Sequence, residues 1–233
     1  MARKSLLRKT LTWLVSACLA VVLLVLGVLV LFRFVDPPTS AFMLAYQWGD
    51  HDPPLQQEWV DGEKISPWMS LAVIASEDQR FPQHWGVDLD AIRQAVSDYR
   101  AGDGLRGAST ITQQTAKNLF LWSGRSFVRK ALEAALALGI ELVWSKQRIL
   151  EVYLNIAEFG PGIYGAEAAS RHYFGIPASQ LSAYQSARLA AVLPNPNVLS
   201  VVRPSPYVVG RVNWIRGQMR QLSGLAYLQD WAR

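Results

Sequence analysis

Residues 11–32, from Leu11 to Phe32, run for 22 positions without a charge. At helical rise such a run spans about 33 Å, enough to cross the hydrocarbon core of a bilayer. Arg3, Lys4, Arg8 and Lys9 precede it. The positive-inside rule then makes residues 1–10 a cytoplasmic basic tail and 11–32 a single-pass transmembrane anchor, with everything after Arg33 outside. A cleaved signal has a shorter apolar stretch, so the segment reads as a retained anchor. The only cysteine, Cys18, lies inside the span, which excludes an intramolecular disulfide.

The rest of the chain is long enough for one domain. The net charge of +5 suits an anionic partner. Charge alone does not choose among nucleic acid, anionic lipid and a phosphorylated substrate. His51, His84 and His172 are scattered without metal-ligand spacing.

Residues 33–65 carry Asp36-Pro37-Pro38, Trp48-Gly49-Asp50 and Asp52-Pro53-Pro54, which are breakers and turns. The segment reads as a linker, or jaw, leading into a domain over 66–233. From Ser66 the pattern is helical, with Ser66 at the N-cap and Pro67 at the first helical position. Further helices are expected from near Asp88, over about 109–121, 126–144 and 146–156, after the turn at 160–165, and over 181–192 and 206–222. No stretch alternates as a strand, so the expected fold class is mainly α.

Two carboxylates, Glu77 and Asp78, fall at the expected end of the first of these helices. Helix C-termini favour cations, so acidic groups there oppose the local field. Places that break a local rule are candidate functional sites. Farther on, Thr110, Gln113, Gln114 and Lys117 recur at i, i+3, i+4 and i+7, the spacing of one helical face. Amides and hydroxyls suit sugars, and Lys117 suits a phosphate. Arg125 follows in a Ser-Gly-Arg-Ser loop as a second cation. Glu133 has Arg129 four residues before it and Lys130 three before, which by itself reads as a helix-surface ion pair.

The string Glu77-Asp78-x-x-Phe81-x-x-His84-x-Gly86-x-Asp88 resembles the first signature of the peptidoglycan glycosyltransferase family, the lysozyme-like module of class A penicillin-binding proteins. A second resembling string runs from Gly107 to Asn118. A third combines Arg129 to Glu133 with Ile149 to Asn155, and a fourth runs from Gly162 to Ala169 with Tyr173-Phe174-Gly175. Four strings in family order are far more specific than one. Leu154 to Gly162 resembles the monofunctional branch, and no Ser-x-x-Lys occurs, so penicillin-type acylation is not expected.

The resemblance implies a mainly α, lysozyme-like domain behind one transmembrane helix in the cell inner membrane, with the catalytic domain periplasmic. It implies an inverting transfer that joins lipid II into β-1,4-linked glycan strands and releases undecaprenyl diphosphate. Glu77 is implied as the base on the acceptor hydroxyl, supported by Asp78. Glu133 is implied to face the diphosphate, where it would orient a basic residue or hold Mg²⁺ or Mn²⁺. Lys117 and Arg125 are implied in the leaving-group subsite. Asp78, Phe81, His84, Thr110, Gln113 and Gln114 complete the substrate-binding set, with His84 more a structural or hydrogen-bonding residue than a catalyst. The expected partners are lipid II, the growing strand and the bilayer, with cell-division or cell-wall synthesis proteins as candidates and no nucleic acid. Two other readings remain at this stage: a lytic enzyme of similar fold that cleaves glycan, and an inactive membrane scaffold.

Overall fold

The computed structural model describes residues 2–49, 51–101, 109–124 and 126–229. Arg125 and the Gly107-Ala108 start of the second signature lie outside the described residues. The chain forms two compact units, residues 1–36 and 37–233.

The first unit is one helix, α1 (Ala2–Phe34). Thr12–Phe34 within it is long and apolar enough to cross a membrane. Leu14, Leu19, Val21, Leu23 and Leu24 are all more than half exposed. Leucine and valine in that state call for an apolar solvent, which is what a lipid interior supplies.

The second unit is mostly helical. Its hub is α3 (Pro67–Glu77), whose Met69, Leu71, Ala72, Val73, Ile74 and Ala75 are fully buried. A helix apolar on every side must be surrounded by protein. The surround comes from α9 (Ala183–Val192) and α10 (Pro206–Gln221), both packed on α3. Burying each Leu or Ile of this layer is worth about 1.5–3 kcal/mol relative to leaving it in water. A second layer is α5 (Ile111–Phe120), which packs on α6 (Phe127–Val143) and α7 (Lys146–Ile156). The remaining helices are α2 (Ala41–Trp48), α4 (Leu89–Ala101), α8 (Ala166–Phe174) and the short α11 (Ala226–Gln229).

The serines expected as helix starts do that work. Ser126 Oγ accepts from Arg129 N at 3.0 Å, and Ser145 Oγ accepts from Arg148 N at 3.2 Å. Each satisfies one orphan amide of its first turn. Ser66 is an exception: it precedes α3 but makes no side-chain cap, and its hydroxyl donates to Leu181 O at 2.7 Å. Pro67 lacks an N–H, which leaves one fewer amide there to cap.

The segment read as a linker is more ordered than its prolines and glycines suggest. Residues 37–65 belong to the second unit and contain α2, the strand β1 (Gln56–Gln57) and a 3-10 turn at Gly62–Lys64. β1 joins β2 (Glu158–Gly160) and β3 (Ile163–Tyr164) in a small sheet of order β1-β3-β2. β1 runs parallel to β3, and β2 runs antiparallel to it. These strands correct the expectation that no strand occurs; at two or three residues each they are too short to show alternation. Asn155 anchors the segment, accepting from Val60 N at 3.0 Å and donating to Val60 O at 2.9 Å.

Gly86 explains one glycine of the first signature. Its φ is +69°, and a Cβ there would sit 2.9 Å from the backbone oxygen of Ala137 on α6. Only glycine allows both the left-handed backbone and the close approach. The first-signature loop is thereby pressed onto α6, the helix that carries Glu133.

Candidate active site

Glu77 is the last residue of α3 and Asp78 is its C-cap. The two carboxylates have divergent roles. Asp78 is buried, and its Oδ2 accepts from Ile111 N, the first residue of α5, at 3.0 Å. The α5 N-terminus offers unpaired N–H groups and the positive end of the helix dipole, so it stabilises an anion. His84 Nε2 lies 2.9 Å from Asp78 Oδ1, and Lys146 Nζ donates to His84 O at 2.7 Å. Asp78 therefore locks the end of one helix to the start of another, with its oxygens spent inside the protein.

Glu77 keeps a different environment. Its side chain is 12% exposed and lines a cavity of about 230 Å³ with Asp78, Arg80, Asp88, Ser109 and Thr110. Oε2 accepts from Gln114 Nε2 at 3.0 Å, and Oε1 from Arg211 Nη2 at 3.1 Å. Tyr153, buried on α7, donates its hydroxyl to Gln114 Oε1 at 3.1 Å. That bond fixes which end of the Gln114 amide faces the glutamate. Burial, then the Glu77 and Asp78 charges, pushes the Tyr153 phenol well above its ordinary range, so it stays a donor.

Gln114 and Lys117 stand three residues apart on α5, one turn along the same face. Lys117 makes no ion pair among the described residues, and its Nζ lies 5.4 Å from the centre of the Phe42 ring. Burial lowers its ammonium below the usual lysine range. Glu133 and Glu77 pull it up, while Arg129 and Lys130 push it further down. The lysine thus sits in the joint field of both site carboxylates.

Glu133 is 3% exposed, so the surface-pair reading fails. Arg129 Nη1 reaches Glu133 Oε2 at 2.8 Å, and Lys130 binds Glu133 Oε1. Lys130 also donates to Ser109 Oγ at 3.1 Å. Lys117, Arg129 and Lys130 against one carboxylate leave a positive surplus suited to a diphosphate. A divalent ion at Glu133 does not fit this arrangement, because both oxygens already face cations. Among the described residues no group of three or more His, Cys, Asp or Glu could hold a metal.

Several residues of the expected binding set have other work. Phe81 is wholly buried with Lys146 Nζ 4.5 Å above its ring, so it cannot touch a substrate. Thr110 is the N-cap of α5 and Gln113 its N3 residue, joined in a capping box, and both are 2% exposed. Thr110 Oγ1 also donates to Gly86 O at 2.5 Å. Their polar atoms support the helix rather than face a sugar. His84 is buried against Asp78, as a structural residue would be.

Arg211 and Tyr153 were not singled out in the sequence. Arg211 is 134 positions from Glu77, on a helix rich in arginine, and nothing local marks it. Tyr153 lies inside the third resembling string, which was the one available signal.

A separate cavity of about 770 Å³ is lined by Phe42, Tyr46, Trp122 and Tyr164, with Glu158 among them. Glu158 is half-buried there. Burial raises its carboxyl above the ordinary 4.5, against lowering by the Gly162 amide, Asn197 and His51. A raised folded value means stability is present below the unfolded value and lost as pH rises through the folded one. Glu158→Gln should therefore leave Tm nearly unchanged at pH about 4 and raise it increasingly toward neutrality. Equal Tm differences at both ends of that range in thermal melts would remove the burial argument. Glu167, in the fourth resembling string, is buried and accepts from Ala178 N at 2.6 Å, a structural role.

The arrangement at Glu77 is a carboxylate on one helix end, with Lys117 one turn along the facing α5 and Arg129 and Lys130 on the neighbouring α6. Such a pair can accept a proton at one end of a groove and steady a departing anion at the other. The transglycosylase family model matches residues 47–220. The biosynthetic peptidoglycan transglycosylase of Marinomonas sp. (strain MWYL1) is 59% identical over 207 residues, covering 89% of each chain. Those of Cronobacter sakazakii and Pseudomonas fluorescens are 55% and 53% identical, each over at least 90% of both chains. The chain belongs to the transglycosylase family.

Proposed function

We propose that this protein polymerises lipid II into β-1,4-linked glycan strands for the cell wall, releasing undecaprenyl diphosphate. The observation that carries the reading is the pairing on α5: Gln114 holds Glu77, and Lys117, one turn on, meets the field of Glu133. The Glu77 carboxylate takes the proton of the acceptor 4-hydroxyl as that oxygen attacks the donor anomeric carbon. The bond from that carbon to the diphosphate breaks, and the diphosphate leaves with the electron pair. Lys117, with Arg129 and Lys130 beside it and Arg125 as a further cation, stabilises that charge. Attack from the face opposite the leaving group inverts the α-linkage to β. The growing strand is the donor and the incoming lipid II the acceptor.

The anchor has a physical purpose here. Both substrates carry lipid tails, so confining the enzyme to the membrane raises their effective concentration. The basic N-terminus supports a cytoplasmic start and a periplasmic catalytic unit in the inner membrane. A lytic enzyme would need no cation cluster facing a diphosphate, which favours synthesis over cleavage.

Labelled lipid II given to the detergent-solubilised protein should yield a ladder of glycan products on a gel. Unconverted lipid II, or fragments released from finished cell wall instead, would overturn the reading. The Glu133 ion pairs lead to the expectation that a chelator leaves the ladder intact.

A further inference from the structure

Arg211 belongs to two places at once. One guanidinium nitrogen holds Glu77 at 3.1 Å. The same side chain forms one wall of a shallow trough of about 390 Å³, with Pro206, Tyr207, Gly210 and Trp214 as the rest. Tyr207, Gly210, Arg211 and Trp214 fall at i, i+3, i+4 and i+7 of α10, so they form one continuous helical stripe. Tyr207 is 60% and Trp214 47% exposed. Nothing lies within 4 Å of where a Gly210 Cβ would sit, so the floor between the two aromatics is open. Arg211 Cζ is 6.0 Å from the Trp214 ring centre, and its buried Nε has no hydrogen-bond partner among the described residues.

We infer that this trough binds an N-acetylated sugar of the glycan strand, as a subsite beside the bond-forming carboxylate. The inference rests on the polymerase reading above. Two half-exposed aromatic rings flanking a glycine floor offer flat apolar faces of the kind that sugar C–H faces cover. Both rings keep a polar group at the rim, so hydroxyls and acetamides need not be desolvated unpaired. The partly exposed Arg211 side chain adds a cation to the wall of the trough. A strand has to remain near Glu77 between successive additions, and Arg211 lines this trough while binding that carboxylate.

The test uses a lipid-free tetrasaccharide of alternating N-acetylglucosamine and N-acetylmuramic acid as the probe, with the full-length protein in detergent. Tyr207→Ala and Trp214→Ala should each weaken tetrasaccharide binding by up to about tenfold, with Phe at either position restoring most of it. Both alanine variants should make shorter strands from lipid II. Gly210→Leu fills the floor without a positive φ or a clash, and leucine favours the helix over glycine. It should keep or raise Tm and still lose tetrasaccharide binding, which separates blockage from misfolding. Unchanged affinity and strand length in all three variants would overturn the inference. So would loss of binding to anionic lipid vesicles in place of the sugar, which would make the stripe a membrane contact. Wild-type protein that binds the tetrasaccharide but makes no polymer would count against the polymerase reading and leave the subsite standing.

Discussion

Glu77→Gln should lower the polymerisation rate by about three orders of magnitude and leave lipid II binding close to wild type. Glutamine keeps the shape of the side chain and loses the proton acceptor. The surroundings can absorb the change on the α5 side: the oxygen of the new amide can still accept from Gln114 Nε2, whose orientation Tyr153 holds. On the α10 side the Arg211 guanidinium loses its charged partner at 3.1 Å, so a fall in Tm of a few degrees is expected. Turnover of labelled lipid II, binding by fluorescence anisotropy and a thermal melt separate these effects. Turnover within tenfold of wild type would remove Glu77 from the role of base.

Lys117→Ala should cost about a hundredfold or more in kcat, in line with removing one preorganised donor from a developing anion. The Lys117→Arg variant should recover part of the rate and report on charge. Burial holds the Lys117 ammonium below the ordinary lysine value. The charged form is the useful one, so the wild-type rate should fall as pH rises through that lowered value. A guanidinium stays charged throughout, and in Lys117→Arg the alkaline fall should move to higher pH. Rate profiles from about pH 7 to 10 test this. Coincident alkaline limbs in the two proteins, or a normal rate in Lys117→Ala, would take the lysine out of the leaving-group subsite.

Helix boundaries were legible where side chains do local work. Ser126 and Ser145 cap helices, Gly175 ends one in the left-handed region at φ 68°, and each left a mark within four residues of its effect. The small sheet left no such mark. β1 pairs with β3 across more than a hundred positions, through strands too short to have a period. α2 was hidden because its flanks carry the prolines and glycines that dominate local reading. In the candidate site, a helix end, a helical face and the family resemblance point to Glu77, Lys117 and Glu133, and the structure places the last two within one electrostatic field. Thr110 and Gln113 misled because a capping box and a polar binding face share the same residue types and spacing. Phe81 misled because a signature marks what a site requires, including the core beneath it. Arg211 could only be found in three dimensions.

Asp78, the residue after Glu77, accepts from the first amide of α5 at 3.0 Å. Glu77 lies one peptide before that link, and Lys117 lies six residues after it on the same helix. Motion of either group must then drag the other along, so their jitter is shared rather than independent. The spacing between Glu77 and Lys117 is gauged by this internal strut.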